Sequence, residues 1–153
     1  MDIGIADEGR RRVAQALEQT LADTYGLYAR THAYHWNVEG PQFNSLHLMF
    51  ETQYNELWAS LDLIAERIRA LGAYAPSFQA LAAKSSLKAD NGVPNANAMI
   101  ANLLEGNETV VRAARSALEA AEEAGDQASA DLMTERVAAG EKAAWMLRAQ
   151  AAG

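Results

Sequence analysis

The chain contains no cysteine, which excludes disulfides and thiolate metal ligands. It has only 3 prolines, and none of its apolar runs approaches the roughly 20 residues that a helix needs to cross a bilayer. The N-terminal stretch also lacks the order of basic and then apolar residues that is typical of a secretory signal. We therefore expect a cytoplasmic protein without a membrane anchor, in which histidine and carboxylate side chains bind any metal ion.

Basic residues are scarce as well, since 13 Lys and Arg stand against 20 Asp and Glu and the formal net charge is −7. An acidic surface repels phosphate, whose neutralisation by Lys and Arg supplies most non-specific affinity for nucleic acid. The only basic cluster is Arg10–Arg12, beside Asp7 and Glu8, and we interpret it as the solvated start of a helix. The same negative charge attracts cations such as Fe²⁺.

Half of the residues are hydrophobic, and they recur at steps of three and four, which is the period of an amphipathic helix. The pattern predicts a first helix over residues 8–38. A Gly-Pro pair at position 40 ends it, so a second helix begins after that pair, capped by Asn44 or Ser45, and ends before Gly72. No strand pattern competes with these helices, and we expect an all-α fold.

The connection after the second helix is long, because residues 73–94 contain two prolines and no regular period. A short helix is expected within it near residues 79–83. Two further helices are predicted over 95–123 and 127–151. One long connection between two short ones indicates a four-helix bundle with one crossover, the ferritin-like arrangement, as a single domain over residues 1–153.

Four potential metal ligands are arranged symmetrically along the second helix. His47 and Glu66 are equally far in sequence from one midpoint, and Glu51 and Asp62 are equally far from the same midpoint. All four lie on one face of the helix, next to its core stripe. His47 and Asp62 are about 22 Å apart along a helix, so one chain cannot bind a single ion with both. A second copy, antiparallel across a two-fold axis, completes the site, and each dimer then has two such sites.

His35, in the first helix, is a further candidate ligand, because it follows Thr31 in the core stripe and faces the second helix. Mixed histidine and carboxylate ligation suits iron or manganese and tolerates zinc, whereas calcium prefers oxygen alone. The alternative is that the acids are solvated and His47 is incidental, since carboxylates one turn apart are common on helices. We interpret His32 as a structural or exposed histidine.

Residues 32–72 resemble the signature of the Dps proteins (DNA-binding proteins from starved cells, or mini-ferritins), with H-W-N-V-x-G-x-x-F-x-x-L-H followed by D-x-x-A-E-R. Residues 131–149 resemble the last helix of that family. The resemblance implies an intersubunit ferroxidase centre that holds one or two irons. Its ligands would be His35, His47 and Glu51 of one subunit and Asp62 and Glu66 of the two-fold mate, with Trp36 beside the metal.

The resemblance also implies a function and an assembly. Twelve subunits would form a hollow shell that oxidises Fe²⁺, preferably with H₂O₂, and stores ferric mineral, which protects the cell against oxidative stress. Acids near the start of the last helix would line the three-fold pores, which makes Asp126, Asp131 and Glu135 candidates. The alternative for these three is an ordinary role as acids that stabilise a helix start.

Three departures from the family pattern bear on these expectations. Glu51 and Gly140 stand where many members have aspartate and histidine, and the segment before the first helix lacks the lysine-rich tail of DNA-binding members. DNA binding is therefore doubtful, and nucleoid association stays open. The rival interpretations are a nucleoid-protecting DNA binder with a vestigial metal site and a ferritin-like protein that assembles without oxidising iron.

Overall fold

A computed structural model describes residues 1–152 and divides them among five helices: α1 Asp7–Asn37, α2 Phe43–Ala70, α3 Phe78–Lys84, α4 Ala96–Ala124 and α5 Gln127–Ala151. Within these residues there is no β-strand, so the all-α prediction is confirmed. The short helix expected in the crossover is α3. None of the described helices combines the length and the apolar character of a membrane span.

The four long helices form a bundle in which α1 packs against α2 and α4, and α4 packs against α5. The short helix α3 lies on α1, on the side of the crossover. Residues of the predicted apolar stripes form the core because each helix turns one face inward. The fully buried members include Leu17, Leu21, Leu46, Phe50, Ile64, Leu103, Met133 and Leu147.

Two ends of helices have ordinary cap chemistry. The Asn95 side chain accepts a hydrogen bond from Ala98 N at 2.9 Å and caps α4. Gly125 ends the same helix in the left-handed conformation, with φ 70°, which a glycine adopts without a steric penalty. The turn into α5 is therefore short, and α4 and α5 pack as antiparallel neighbours.

The predicted cap of α2 is wrong. This helix begins at Phe43, and neither Asn44 nor Ser45 precedes it. The backbone reverses earlier because Phe43 N donates to Gly40 O at 3.0 Å and closes a turn across the proline at position 41. Both polar residues therefore lie in the first helical turn, where the Ser45 hydroxyl donates to Gln42 O at 3.0 Å.

Buried polar contacts hold the crossover against α1. The carboxylate of Asp23 is buried and accepts a hydrogen bond from Ser86 N at 2.7 Å. Farther along α1, the Tyr34 hydroxyl donates to Asp90 Oδ2 at 2.6 Å. Burial, followed by the hydrogen bond to Asp90, raises the pKa of Tyr34 to about 12. Hydrogen bonds from two points along α1 thus fix the path of the crossover, whose sequence has no regular hydrophobic period.

Candidate metal centre

The end of α1 and the start of α2 bring His35 and His47 into direct contact. The Nδ1 atom of His35 lies 2.8 Å from the backbone oxygen of His47, and Nδ1 of His47 lies 2.7 Å from the backbone oxygen of His35. The two rings stack, with centroids 3.8 Å apart and planes inclined by 14°. His35 therefore faces α2, as the stripe position predicted.

These reciprocal hydrogen bonds determine which ring nitrogen carries the proton. A carbonyl oxygen can only accept a hydrogen bond, so Nδ1 of each histidine must be the donor. A neutral imidazole protonated on Nδ1 has its lone pair on Nε2, where it can bind a cation. Metal-binding histidines in proteins are commonly oriented by this kind of bond to a backbone carbonyl. The donor chemistry of the pair thus fits a divalent metal.

The three carboxylates lie along α2 and not all at the same end. Glu51 is one turn after His47 and partly exposed, whereas Asp62 and Glu66 are exposed and lie farther toward the C-terminus of the helix. Within residues 1–152, no three His, Asp or Glu side chains approach closely enough to hold a metal ion. The structure thus brings the two histidines together, and the straight helix keeps Asp62 and Glu66 away from them.

Asp62 lies at a cleft of about 700 Å³ between α2 and α3. Trp58 and Phe78 line the same cleft, and their side chains are 50% and 49% exposed. Leu63, the residue after Asp62, is also largely exposed. An apolar surface of this kind around a free carboxylate is suited to burial against another protein surface.

Trp36 and His32 are placed differently from the histidine pair. The Trp36 side chain is 67% exposed, and its ring centroid lies 4.4 Å from that of His32. The ring of His32 stacks on Tyr54 at 3.8 Å, and its Nδ1 lies 2.9 Å from the Tyr28 hydroxyl. Burial, and then the neighbouring His35, lowers the pKa of His32. His32 therefore lies among aromatic rings, and its structural role stays a prediction.

Tyr28 and Tyr54 were not singled out as functional residues by the sequence. Both occupy core-stripe positions, Tyr28 in α1 and Tyr54 in α2, which a sequence pattern interprets as packing. Each is only partly buried, and each touches the ring of His32. The sequence did contain a sign of this cluster. The two tyrosines lie on the apolar stripes of two helices that pack together, close to a segment rich in histidine.

The acids proposed for a pore have two distinct environments. Asp126 is only 2% exposed, forms an ion pair with Arg67 at 2.7 Å, and caps α5 by accepting from Ser129 N at 3.1 Å. Its carboxylate is thus engaged within the chain at the start of the helix. Asp131 and Glu135 are exposed and lie one turn apart on α5. The pore role of these acids stays a prediction.

Comparison with known proteins identifies the relatives of this chain. A sequence model of the ferritin-like domain matches residues 14–152. A low temperature-induced protein of Nostoc sp. is 42% identical over 97% of this chain and 84% of its own length. The DNA protection during starvation protein of Brevibacillus brevis is 34% identical over 90% of this chain and 93% of its own length.

A solved structure agrees with these sequence relatives. The crystal structure of a Dps protein from Vibrio cholerae, a member of the ferritin-like diiron-carboxylate proteins, superimposes with a TM-score of 0.91 at 32% identity. The similarity covers 97% of this chain and 94% of the Vibrio chain. Sequence and fold agree over nearly the whole length, and the chain belongs to the Dps family of the ferritin-like superfamily.

Proposed function

We propose that this protein oxidises Fe²⁺ with H₂O₂ at sites formed between two antiparallel copies, and stores the ferric product inside a shell of twelve chains. Membership of the Dps family supports iron storage and protection against oxidative stress in general. The observation that carries the finer proposal is the pair of Nδ1–carbonyl hydrogen bonds, which leaves the Nε2 lone pair of each histidine available to bind a cation.

Each proposed site combines groups from two chains. One chain supplies His35, His47 and Glu51, and Asp62 and Glu66 of the partner subunit complete the set. The exposed side chains around the α2–α3 cleft favour this arrangement, because Trp58 and Leu63 would lose water contact when the partner covers them.

The ligand charges explain why such a site would favour oxidation. Three carboxylates and two neutral imidazoles give the site a formal charge of −3, which stabilises Fe³⁺ more than Fe²⁺. Hard oxygen ligands act in the same direction. Two Fe²⁺ and one H₂O₂ then give two Fe³⁺ and two hydroxide ions, so peroxide is consumed without release of hydroxyl radicals.

The rival function, DNA binding, finds little support in the charges of the chain. In the basic cluster, Arg10 forms an ion pair with Asp7, and Arg12 lies 3.0 Å from Glu123. Arg10 also donates to Leu71 O at 3.2 Å. Two of the three arginines are therefore occupied within the chain, and the surrounding surface is acidic.

A mixing experiment tests whether the sites are intersubunit. Chains carrying His47→Ala and chains carrying Glu66→Ala should each lose rapid peroxide-driven Fe²⁺ oxidation. When the two are unfolded, mixed equally and refolded, a mixed dimer has one site with both substitutions and one site with neither. About a quarter of the wild-type sites should return, because half of the dimers are mixed and each has one intact site of two.

The controls for this experiment are the two variants refolded separately, and native mass measurement of the mixture to verify that mixed dimers form. Recovery near zero in verified mixed dimers would place all ligands within one chain. Full activity of either single variant would remove the assigned site altogether.

A further inference from the structure

Aromatic rings form a continuous path from the histidine pair to the α2–α3 cleft. The ring of Tyr54 lies 5.2 Å from that of His35, and Tyr28 lies 6.3 Å from Tyr54. Trp58 follows at 5.1 Å from Tyr28 and lines the cleft that contains Asp62. No step between ring centroids on this path exceeds 6.3 Å.

Under the proposed function, the two ends of this path belong to different iron sites of one dimer. A single chain gives His35 and His47 to one site, and gives Asp62 and Glu66 to the other. The two ligand groups are about 22 Å apart along α2. Direct electron transfer over such a distance is slow, whereas transfer through oxidisable rings proceeds in short steps.

The residues on the path have the chemistry that a relay needs, because tyrosine and tryptophan are the aromatic side chains most easily oxidised. A tyrosine that loses an electron also loses its phenolic proton, so a base must lie beside it. The Tyr28 hydroxyl is 2.9 Å from Nδ1 of His32, which can accept that proton and return it. The ring of His32 is held against Tyr54 at 3.8 Å and stays in position for this exchange.

We propose that Tyr54, Tyr28 and Trp58 relay single electrons between the two iron sites of a dimer, so that one H₂O₂ can oxidise a ferrous ion at each. This inference rests on the proposed function, because it needs the two intersubunit sites. It explains how a site holding one Fe²⁺ can still reduce peroxide by two electrons.

The electron balance closes with the reagents of the proposed reaction. The first Fe²⁺ gives one electron to H₂O₂, which splits into hydroxide and a hydroxyl radical. The relay gives the second electron, which turns the radical into hydroxide and leaves a tyrosyl radical at Tyr28 with its proton on His32. The Fe²⁺ of the other site returns an electron through Trp58, and the proton moves back to the Tyr28 oxygen. The products are two Fe³⁺ and two hydroxide ions.

The relay can be tested without iron by pulse radiolysis of the assembled protein. Azide radicals oxidise tryptophan, and the tryptophyl absorption should decay into tyrosyl absorption at a rate independent of protein concentration. Tyr28→Phe should slow this transfer about tenfold. Tyr74→Phe and Trp145→Phe are the matched controls, because both side chains are largely exposed and lie off the path, and neither should change the rate. Equal rates in Tyr28→Phe and wild type would overturn the relay.

A second experiment uses iron and separates the relay from the site. Asp62→Ala should lose Fe²⁺ binding, whereas Trp58→Phe should bind Fe²⁺ like the wild type. With one Fe²⁺ per site, the tyrosyl radical that forms when peroxide is added should live about tenfold longer in Trp58→Phe, as measured by electron paramagnetic resonance, because the returning electron passes through Trp58. Trp58→Tyr, which restores an oxidisable ring, should return this lifetime to the wild-type value.

The outcomes of this experiment are distinguishable. If Asp62→Ala still binds and rapidly oxidises Fe²⁺, the proposed function fails and the relay fails with it. If Asp62→Ala loses binding but the tyrosyl radical of Trp58→Phe decays as fast as that of the wild type, the relay alone is wrong. Light scattering on each variant verifies assembly, and a tyrosyl radical that stays long-lived in an assembled Trp58→Tyr variant also contradicts the relay.

Discussion

At the scale of single residues, the arrangement of His35 and His47 rests on two carbonyl groups near the end of one helix and the start of the next. Each imidazole is oriented by the backbone of the other segment, at 2.8 and 2.7 Å. A shift of one helix against the other would therefore move both rings together. This coupling makes the pair a rigid unit, which suits a site that must bind a metal without rearrangement.

Tyr34 offers a prediction at the same scale. Tyr34→Phe removes a hydroxyl that donates to Asp90 and accepts from Asn102 at 2.9 Å, so the free energy of unfolding should fall by about 1–3 kcal/mol at neutral pH. Burial and Asp90 raise the pKa of Tyr34 from 10.0 to about 12 in the folded state. This contribution to stability is therefore complete below pH 10 and is lost as the pH rises to about 12.

Urea unfolding at several pH values between neutral and pH 12, at one chain concentration, measures this effect. Tyr74→Phe is the control, because that side chain is 87% exposed and its loss should change little. The wild type should lose more stability than Tyr34→Phe across this alkaline range. Parallel curves for the two proteins would contradict the assignment.

At the scale of helices, the contact between α4 and α5 depends on a glycine. A Cβ atom at position 140 would lie 2.6 Å from Cγ2 of Val111, which is well inside normal contact distance. A glycine within a helix costs about 1 kcal/mol of helix propensity relative to alanine. The packing shows what offsets this cost, because the missing side chain lets α4 approach α5.

Gly140→Ala should therefore destabilise the protein by about 1–3 kcal/mol, although alanine is the better helix former. The β-branched Val111 has few alternative rotamers in a helix and cannot easily move aside. Val111→Ala removes the clashing methyl group, so in that background Gly140→Ala should cost much less. Thermal unfolding of the four proteins gives the coupling energy, and strictly additive effects would show that the two residues do not interact.

At the scale of the whole molecule, the acidic charge and the exposed apolar cleft have separate consequences. The net charge of −7 favours cations over phosphate in solution. The exposed rings of Trp58 and Phe78 favour association with a second copy. Both features agree with the proposed iron-oxidising assembly better than with the nucleoid-binding alternative.

Light scattering should give about 200 kDa for twelve chains of 16.5 kDa each. Trp58→Asp would place a further charge in the proposed two-fold contact and should lower the mass, whereas the exposed Trp145→Asp on α5 is the charge-matched control. A wild-type monomer at micromolar concentration would contradict both the assembly and the shared sites.

DNA binding is the other property of the whole assembly that can be measured. A gel shift at low salt should show no complex, because the net charge is −7 and two of the three clustered arginines are paired. Repeating the assay with added Mg²⁺ tests whether bridging cations can offset the charge. A complex without divalent cations, weakened by monovalent salt, would instead support the nucleoid-binding alternative.

The sequence alone determined the helices and the positions of the proposed ligands along them. Such features depend on local periodicity and turn chemistry, and the spacing of His47, Glu51, Asp62 and Glu66 follows from 1.5 Å of rise per residue. The cap of α2 was predicted wrongly, because proline and glycine turned the backbone before the better capping side chains were reached.

Only the tertiary structure decided which ring nitrogens are protonated, how Tyr54 meets His32, and why position 140 is a glycine. Each of these depends on the distance between groups that are far apart in the chain and meet only when the helices pack. A sequence pattern places a residue on a face of a helix to within about one turn. Hydrogen bonds and methyl clashes are decided within a few tenths of an ångström, and the packed bundle alone sets distances that finely.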